Sequence, residues 1–276
     1  MQAGAYNHGK YGKEHMEHSL MAAGEKLEQA ALRLRASQRP VFLTGAGVSA
    51  ESGVPTFRDA ATGLWSKYEP TELATPQAFQ RDPDLVWRFY QYRRQITALA
   101  KPNPGHFALA ELEVLKPDLW VITQNVDDLH EQAGSRRVIR LHGRLRDSRC
   151  SQNCKGDPTL IDLDQHRLNS PDTAPRCPYC GARIRPDVVW FNEMLPLSAL
   201  EAAWGAISRA DLVVVIGTSG MVHPAADMPM DARDRGVTVI EINPQPSAIT
   251  PVADLWIDQP SGVALPELAH RVTALA

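Results

Sequence analysis

Short runs of mainly apolar residues recur along the chain and predict buried β-strands. They cover 41–44, 119–123, 138–141, 212–216 and 238–242. Runs of this kind, without strict alternation of polar and apolar residues, are typical of strands covered on both faces, as in a parallel sheet between two layers of helices. The longest aliphatic run has five residues, 212–216, whereas a membrane-spanning helix needs about 20. We therefore expect no transmembrane segment.

The segments between these runs favour helices. Apolar residues at helical spacing, such as Leu27, Ala30 and Leu34, predict a helix over 21–36. Further helices are predicted over 84–100, 104–115, 197–208, 225–235 and 266–275. This alternation of strand and helix predicts an α/β fold with a Rossmann-like, doubly wound parallel sheet.

Two stretches, 59–103 and 148–186, interrupt the alternation and are interpreted as insertions that together form a second, smaller domain. The predicted Rossmann-like domain consists of 21–58, 104–147 and 187–276. The small domain combines a helical insertion, 59–103, with the cysteine-bearing stretch 148–186. A loose polar tail is predicted over 1–20.

Composition narrows the class of protein. The chain has 276 residues, 43% of them hydrophobic and 22% charged, which is typical of a soluble globular protein. A net charge of −3 gives no global field to attract nucleic acid. The first 39 residues lack both the apolar core of a secretory signal and the acid-poor, arginine-rich character of a transit peptide. We expect a cytoplasmic monomer that binds neither nucleic acid nor membrane.

A glycine-rich turn follows the first predicted strand. The residues Gly45-Ala46-Gly47-Val48-Ser49-Ala50 match the G-x-G-x-x-G/A dinucleotide fingerprint. Glycines let the backbone approach a pyrophosphate, and the following helix offers free N–H groups; the alternative is a tight turn with no ligand. No acidic residue stands at the end of a second strand about 20 positions later, where dehydrogenases bind the ribose. Hydride transfer is therefore disfavoured.

All four cysteines lie close together in the sequence. Cys150 and Cys154 bracket three residues, Cys177 and Cys180 bracket two, and 22 residues separate the pairs. This spacing predicts one tetrahedral zinc ion held by four thiolates, with no open position for water and hence a structural role. The alternative is four free thiols in a reducing cytosol.

Three blocks of residues resemble the signature blocks of the sirtuins, which are NAD-dependent protein-lysine deacylases. They are the run from Gly45 to Arg58, the run Thr-Gln-Asn-Val-Asp-Asp-Leu-His at 123–130, and Leu141-His142-Gly143. Val-Val-Trp-Phe at 188–191, Gly-Thr-Ser at 217–219 and Ile-Asn-Pro at 242–244 agree, so the resemblance covers about 40–266. It implies a Rossmann-like domain and a small zinc-binding domain, with the substrates between them.

The resemblance also implies site residues and makes NAD a consumed co-substrate. The implied NAD site comprises Gly45, Ala46, Gly47, Ala50, Phe57, Arg58, Gln124, Asn125, Asp127, Gly217, Thr218, Ser219 and Asn243, with Ser261 near the adenine end. Gln124, Asn125 and Asp127 would hold nicotinamide; the alternative is a capping cluster for the next helix. His142 is the implied general base, which suits an imidazole that titrates near neutrality, although a lone histidine is more often structural or solvated.

A substrate-binding segment is implied at 188–191. Its residues, Val188, Val189, Trp190 and Phe191, would form an extended edge that pairs with the substrate backbone and borders the lysine tunnel; the alternative is a buried strand. Most sirtuins continue with Gly-Glu after this Phe, whereas this chain has Asn192-Glu193. Asn192 in place of glycine is expected to affect the local backbone path and, through it, the preference for particular peptides.

A Tyr-x-x-Arg pair indicates which acyl group is removed. The helix over 84–100 has a predicted core stripe of Leu85, Phe89, Tyr92, Ile96 and Leu99, and Tyr90 and Arg93 lie off it as neighbours on one face. In sirtuins that prefer succinyl, malonyl or glutaryl lysine, such a pair binds the distal carboxylate, and a small residue resembling Ala74 widens the pocket. The alternative is that Arg93 and Arg94 form a solvated helix face.

The leading hypothesis is an NAD-dependent protein-lysine deacylase with desuccinylase, demalonylase and deacetylase activity, most similar to the class III bacterial and mitochondrial sirtuins. Its partners would be acylated lysine side chains of proteins. Three alternatives are a protein ADP-ribosyltransferase, a deacetylase without acidic-acyl preference, and a non-enzymatic NAD-sensing or zinc-ribbon interaction module.

Overall fold

A six-stranded parallel sheet forms the centre of the molecule. The computed structural model describes residues 22–55 and 69–274. The strands are β1 (Pro40–Thr44), β2 (Trp120–Thr123), β3 (Val138–Arg140), β4 (Gly143–Cys150), β5 (Ile184–Val188), β6 (Leu212–Ile216), β7 (Thr238–Ile242) and β8 (Leu255–Ile257). The sheet has the order β3-β2-β1-β6-β7-β8, which is the order of the dinucleotide-binding Rossmann fold. The predicted fold class is therefore confirmed.

Helices cover both faces of this sheet. They are α1 (Ala23–Ala36), α2 (Gly47–Ala50), α3 (Pro70–Leu73), α4 (Pro76–Arg81), α5 (Pro83–Leu99), α6 (Pro104–Leu115), α7 (Leu129–Gln132), α8 (Leu197–Arg209), α9 (Asp227–Asp234) and α10 (Ser261–Ala274). In β1, Phe42 packs with α1, α6 and α10, whereas Val41 and Leu43 pack with α8 and α9. Successive side chains of a strand point to opposite faces, so one apolar run supplies both cores.

The C-terminal helix begins earlier than the sequence predicts. α10 starts at Ser261 instead of residue 266, and Pro266 lies inside it. Proline removes one backbone hydrogen bond and is a usual signal of a helix start. Here Leu265, Leu268 and Val272 are buried against the sheet, and this packing carries the helix through the proline.

A smaller lobe contains an antiparallel pair of strands and its own core. β4 pairs with β5, with Gly143 opposite Val188 and Cys150 opposite Ile184. The core of this lobe combines residues of α3 to α5 with residues of 145–190. The predicted domain boundaries stay a prediction; the small sheet itself begins at Gly143, four residues before the predicted boundary at 147.

Helix α5 buries only part of the predicted core stripe, since Phe89 is buried and Leu85 and Tyr92 pack partly buried against the small-lobe core. Val86, Trp87, Phe89 and Tyr90 are buried, whereas Leu99, which the predicted core stripe includes, is 84% exposed. The apolar contacts are concentrated in the first two turns, where α5 meets the small-lobe core. Farther along, contact with β4 is polar, because Arg94 donates to the carbonyl oxygens of Leu145 (2.7 Å) and Asp147 (2.8 Å) and to the Ser148 hydroxyl. A solvated face is therefore wrong for Arg94.

Membrane insertion finds no support in the helices of 22–55 and 69–274, since none of them has the length and apolar composition that a bilayer span requires.

Candidate active site

A cavity of about 910 Å³ lies between the carboxyl ends of the parallel strands and the small lobe. Open α/β sheets bind ligands at this edge, where the strand order reverses, here between β1 and β6. The structure brings most of the predicted site residues to this cavity: Gly45, Ala46, Gly47, Ala74, Tyr90, Arg93, Gln124, Asn125, Asp127, His142, Val188, Val189, Trp190, Phe191, Gly217, Thr218, Ser219 and Asn243.

Two predicted NAD-site residues within 22–55 and 69–274, Ala50 and Ser261, are not among the lining residues. Phe57 and Arg58 lie outside the described residues. Ala50 is exposed at the end of α2. Ser261 is buried, and its hydroxyl donates to Glu51 Oε2 (3.2 Å) at the start of α10. The assignments of Ala50 and Ser261 to the NAD site stay predictions.

The glycine-rich turn packs directly against the loop after β6. Gly45 N–H donates to Ile216 O (2.9 Å) and Gly47 N–H to Gly217 O (2.8 Å). A Cβ atom on Gly47 would lie 2.7 Å from Gly217 Cα, a distance that real Cβ atoms do not tolerate. These glycines therefore allow two loops to meet at the edge of the sheet, and the N–H groups of both glycines bond within the protein.

A buried cluster of polar side chains, comprising Ser49, His106, Asn125 and Asp127, borders the cavity. Asn103 N–H donates to His106 Nδ1 (3.3 Å), so the proton of the neutral ring is on Nε2, which faces the Ser49 hydroxyl at 3.4 Å. Asn125 Nδ2 also donates to Ser49 Oγ (3.0 Å). The Ser49 hydroxyl donates in turn to Asp127 Oδ2 (2.9 Å). Every hydrogen bond of this cluster therefore has a defined direction.

Burial controls ionisation in this cluster. It raises the pKa of Asp127, although the Leu129 N–H, the Ser49 hydroxyl and Arg140 favour the carboxylate. It lowers the pKa of His106 to about 4. Asp127 also accepts the N–H of Leu129, the first residue of α7, at 3.1 Å. The cavity-lining role and the helix-capping alternative for Asp127 are therefore both realised.

His142 lies where the chain passes from the large sheet to the small one, between the end of β3 and the start of β4. Its Nδ1 is 2.8 Å from Gln124 O. A carbonyl oxygen only accepts, so Nδ1 carries the proton and Nε2 of the neutral ring keeps a lone pair. Burial lowers the pKa of His142, opposed by this hydrogen bond. The imidazole is therefore neutral at physiological pH and able to accept a proton.

Gly143 explains why glycine follows this histidine. Its φ is +77°, and a Cβ atom would lie 2.2 Å from Asp187 O. Because no L-residue with a side chain fits there, the turn that carries His142 into β4 requires glycine.

A second part of the cavity lining, which we call the aromatic wall, consists of Ala74, Tyr90, Arg93 and Trp190. Burial raises the pKa of Tyr90 to about 12, so its hydroxyl keeps its proton. Burial also lowers the pKa of Arg93, whereas Tyr90 and Asp127 favour its charged form. This wall therefore presents a hydroxyl and a guanidinium beside the small Ala74.

The segment 188–191 is already hydrogen-bonded through its N–H groups. Val189 N–H donates to His142 O (2.9 Å), Phe191 N–H to Ala74 O (2.9 Å) and Trp190 N–H to Glu193 Oε2 (2.8 Å). A peptide strand could therefore pair only with the carbonyl oxygens of this segment, to which it would donate its own N–H groups. The segment offers a peptide fewer backbone hydrogen bonds than the sequence suggests, and its substrate-binding role stays a prediction.

Asn192 adopts the left-handed conformation that the family's usual glycine would favour. Its φ is +67°, and Glu193 N–H donates to Trp190 O (3.1 Å) across the turn. A positive φ at the third residue is the mark of a type II turn, and asparagine tolerates it better than other side chains do. The departure from glycine therefore preserves a tight turn.

Glu193 fastens this turn to β5. Its carboxylate binds both Nη atoms of Arg185, at 2.5 and 2.8 Å. Burial raises the pKa of Glu193, but the hydrogen bonds and charge of Arg185 outweigh burial and hold the pKa below its usual value. The carboxylate is therefore ionised and committed to Arg185.

The four cysteines come together in the small lobe. Their Sγ atoms all lie within 4.8 Å of one another, with Cys150 3.5 Å from Cys180 and Cys154 3.8 Å from Cys177. Tetrahedral Zn–S bonds of about 2.3 Å place sulfurs about 3.8 Å apart. Cys150, Cys154, Cys177 and Cys180 are therefore positioned to bind one zinc ion, as predicted, and they do not line the cavity.

Two members of the polar cluster, Ser49 and His106, were not among the site residues predicted from the sequence. Ser49 stands inside the glycine-rich turn, where the motif itself draws attention to the glycines. Asn103 and Pro104 are a strong signal for a helix start. A histidine two residues later, on the buried face of that helix, could have indicated a buried polar contact.

Comparison with known proteins agrees with this architecture. Residues 45–224 match the Sir2 family. The chain is 49% identical over 251 residues to an NAD-dependent protein deacylase of Thermococcus kodakarensis, covering 89% of this chain and 95% of the relative. It also resembles a crystal structure of a Sir2 homolog–NAD complex, with a TM-score of 0.83, 46% identity, and coverage of 90% of this chain and 95% of that one.

A third comparison involves a peptide complex. The structure of Sir2Af2 bound to a myristoylated histone peptide has a TM-score of 0.72 and 32% identity, and covers 91% of this chain and 98% of its own. The family match, the identity over nearly the whole relative and the shared fold lead to one conclusion: this chain belongs to the Sir2 family, the sirtuins.

Proposed function

We propose that this protein removes acidic acyl groups, succinyl and malonyl, as well as acetyl, from lysine side chains of proteins, and consumes NAD in the reaction. The NAD-dependent deacylase activity follows from the family. The observation that supports the acidic-acyl preference is the position of Tyr90 and Arg93 in the same cavity as His142. With this preference the protein would belong to the class III sirtuins.

NAD would occupy the part of the cavity next to the parallel strands. Gly47, Thr218 and Asn243 would hold its nucleotide portion, with Asn125 and Asp127 at the nicotinamide end. When bound, NAD supplies a ribose carbon that accepts the acyl oxygen once nicotinamide has left. The directed hydrogen bonds of Ser49 and His106 keep the Asn125 and Asp127 side chains in place.

His142 would act as the general base. Because Gln124 holds the proton on Nδ1, Nε2 is free to take a proton from a ribose hydroxyl. The lowered pKa keeps this nitrogen unprotonated at neutral pH. No rotation of the ring is needed before the proton transfer, since the hydrogen bond already fixes its orientation.

Arg93 and Tyr90 would recognise the distal carboxylate of the acyl group. A guanidinium binds a carboxylate through two parallel hydrogen bonds, which an ammonium group cannot reproduce. Burial of Arg93 costs free energy that a bound carboxylate would offset. Tyr90 would donate its proton, which burial retains up to a pKa of about 12. Ala74 leaves room for the longer acyl chain.

The test is incubation with NAD and matched peptides that carry acetyl, succinyl, malonyl or glutaryl lysine, followed by mass spectrometry. We expect nicotinamide, free lysine peptide and acyl-ADP-ribose, formed faster from the acidic acyl groups. ADP-ribosylated protein without acyl-ADP-ribose would instead identify an ADP-ribosyltransferase. Equal rates on all acyl groups would identify a deacetylase without acidic preference.

Arg93→Met separates acyl recognition from general catalysis. We expect desuccinylation to fall by about tenfold to a hundredfold, the usual value of a hydrogen bond to a charged group, with deacetylation largely kept. Arg88→Met is the matched control, since Arg88 lies on the same helix and donates to Asp172 O outside the cavity. Parallel loss of both activities in the Arg93 variant would contradict the proposal.

The remaining expectations from sequence, a cytoplasmic monomer that binds neither nucleic acid nor membrane, stay predictions. Size-exclusion chromatography with light scattering measures the oligomeric state directly.

A further inference from the structure

Glu241 places a carboxyl group inside the large sheet. It is 0% exposed and stands among the apolar residues of β7. Burying such a group costs free energy unless hydrogen bonds compensate for the lost water. Glu241 is not among the residues that line the cavity. Neither apolar packing nor direct contact with a ligand in the cavity therefore explains why an acidic residue stands at this position.

The Glu241 carboxylate holds the segment 243–250, which follows β7 and which we call the β7 loop. Ser247 Oγ donates to Oε1 and Thr250 Oγ1 donates to Oε2, both at 2.5 Å. Ser247 Oγ also accepts the N–H of Ile249 (2.9 Å), and Thr250 Oγ1 accepts the N–H of Ser247 (2.8 Å). The single proton of each hydroxyl therefore goes to Glu241, and the loop is fastened at two points.

The same carboxylate orients the side chain of Asn243. Asn243 Nδ2 donates to Thr218 O (3.0 Å) and, at a longer distance, to Glu241 Oε1 (3.4 Å). Because both partners are acceptors, the orientation of the amide is defined, and Oδ1 is the atom that can accept from a ligand. The backbone oxygen of Asn243 is fixed as well, since Trp256 Nε1 donates to it (2.8 Å). Asn243 lines the cavity, so Glu241 acts on the cavity through it.

The β7 loop forms part of the cavity wall next to the parallel strands. Gln245, Ser247 and Ala248 line the cavity together with Asn243. Ala248 N–H donates to Ser219 O (3.1 Å), which joins the β7 loop to the loop after β6. A loop that is ordered before a ligand arrives does not add the entropy cost of ordering to the cost of binding. The contacts of Glu241 therefore favour binding in this part of the cavity.

We propose that Glu241 is a positioning residue for NAD, because it holds the β7 loop and the Asn243 amide in the arrangement that binds the dinucleotide. Glu241 itself touches neither NAD nor the acylated lysine, so its contribution is to NAD binding and not to the chemical step. The inference goes beyond the proposed function, since every acyl specificity considered above uses the same NAD.

Glu241→Gln tests this role with a side chain of nearly the same size. The amide group has one oxygen, so one of the two hydroxyls loses its acceptor and meets an N–H group instead. We expect the KM for NAD, measured with an acetyl-lysine peptide, and the Kd for ADP-ribose, measured by calorimetry, both to rise about tenfold, the usual effect of losing a hydrogen bond to a charged group. We expect kcat at saturating NAD to change less than threefold.

Asp254→Asn is the matched control for loss of stability. Asp254 is a carboxylate at the other end of β7, where it accepts the Val239 N–H (2.8 Å) and pairs with Arg233 Nη1 (3.0 Å), and it does not line the cavity. We expect this variant to lower the melting temperature and to leave the KM for NAD and the Kd for ADP-ribose unchanged. A merely structural role for Glu241 would give the same result.

Thr250→Val removes one of the two hydroxyl donors from the opposite side of the contact. Thr250 does not line the cavity, and valine has nearly its shape. We expect the Kd for ADP-ribose to rise in this variant too. The double variant should bind ADP-ribose more tightly than the product of the two single effects predicts, because both changes break the same contact. If Glu241→Gln fails to fold, Thr250→Val decides the question alone.

The outcomes that would overturn the role of Glu241 are distinct from those that bear on acyl preference. An unchanged Kd for ADP-ribose, a fall in kcat alone, or an equal rise in Kd in Asp254→Asn would each refute it. If the wild-type protein does not bind ADP-ribose, the assignment of NAD to this part of the cavity fails as well. Equal rates on acetyl and succinyl peptides would refute the acidic-acyl preference, while a weaker ADP-ribose complex in Glu241→Gln would still support the role of Glu241.

Discussion

A single backbone oxygen decides which nitrogen of His142 is available for chemistry. Because Gln124 O accepts from Nδ1 at 2.8 Å, the basic lone pair is on Nε2 in the neutral ring. His142→Tyr removes this base, so we expect deacylation to be abolished while the fold is kept. Nicotinamide release with NAD and acylated peptide measures the loss, with unchanged thermal melting as the control. Retained turnover would show that the proton is accepted elsewhere.

The lowered pKa of His142 also predicts a pH profile. The base is active when unprotonated, and burial moves its pKa below 6.5. The acid limb of kcat/KM is therefore expected below pH 6.5, with activity falling only as the pH drops through the lowered value. A limb centred above 6.5 would contradict the assignment of His142 as the base.

At the residue scale, the sequence predicted which residues belong to the site better than it predicted the contacts that these residues make. The motifs identified His142, Tyr90 and Arg93, because each stands at a recognisable spacing. The position of the Trp190 ring could not be predicted, since it packs against Arg185 and Phe79, which come from different segments. The left-handed backbone at Asn192 is equally a product of the turn that Glu193 closes.

Among the elements, β4 and β5 depend most on the predicted metal. Cys150 is the last residue of β4, and Cys177 and Cys180 precede β5. One zinc ion would therefore link the two ends of the segment that connects β4 to β5. We expect chelation of zinc to lower the melting temperature and the activity together, since metal binding and folding are coupled. Zinc content and near-ultraviolet circular dichroism follow the loss, and re-addition of zinc should restore both signals. Full activity with well under one zinc per chain would refute this structural role.

Not every strand could be predicted from the pattern of apolar residues. Continuous apolar runs revealed five strands of the large sheet because both of their faces are buried. β8 is only three residues long, and β4 carries two arginines and one aspartate among its first five residues. These strands are stabilised by tertiary contacts, such as those of Arg94 with 145–148, and short or charged strands leave no clear period in the sequence.

For the molecule as a whole, two buried histidines predict acid sensitivity. Burial lowers the pKa of His106 to about 4, and burial, with His106 and Arg140 nearby, lowers that of His130 to about 3. In the unfolded chain both imidazoles take up a proton near pH 6.5, whereas in the folded chain His106 does so only near pH 4 and His130 only near pH 3. The free energy of unfolding should therefore fall as the pH drops from 6.5, by up to about 1.4 kcal/mol per pH unit for each histidine.

Urea unfolding between pH 7 and pH 4.5 tests this expectation. The imidazole signals of His106 and His130 in NMR spectra should not titrate until well below pH 5. His270→Asn, which replaces an exposed histidine on α10, is the matched control and should leave the pH dependence unchanged. Stability that does not change with pH over this interval would contradict the burial argument.

Contacts between segments that are distant in the sequence were the hardest feature to predict. The fold class followed from alternation, and the resemblance placed the substrates between two domains. The sequence could not show that Ala74, Tyr90 and Trp190, drawn from separate segments, form one wall, or that the segment 188–191 has its N–H groups already engaged. Such facts depend on long-range packing, which no local pattern encodes.

The two parts of the cavity come from different parts of the chain, and this has an evolutionary consequence. The polar cluster and the glycine loops lie at the edge of the large sheet, whereas Ala74, Tyr90 and Trp190 of the aromatic wall belong to the core of the small lobe. Substitutions in the wall can therefore accumulate while the polar cluster and the glycine loops, which would bind NAD on the proposed function, stay unchanged. On the proposed function, a lineage could exchange one acyl group for another while its chemistry stayed fixed, which makes the small lobe the natural place to engineer new selectivity.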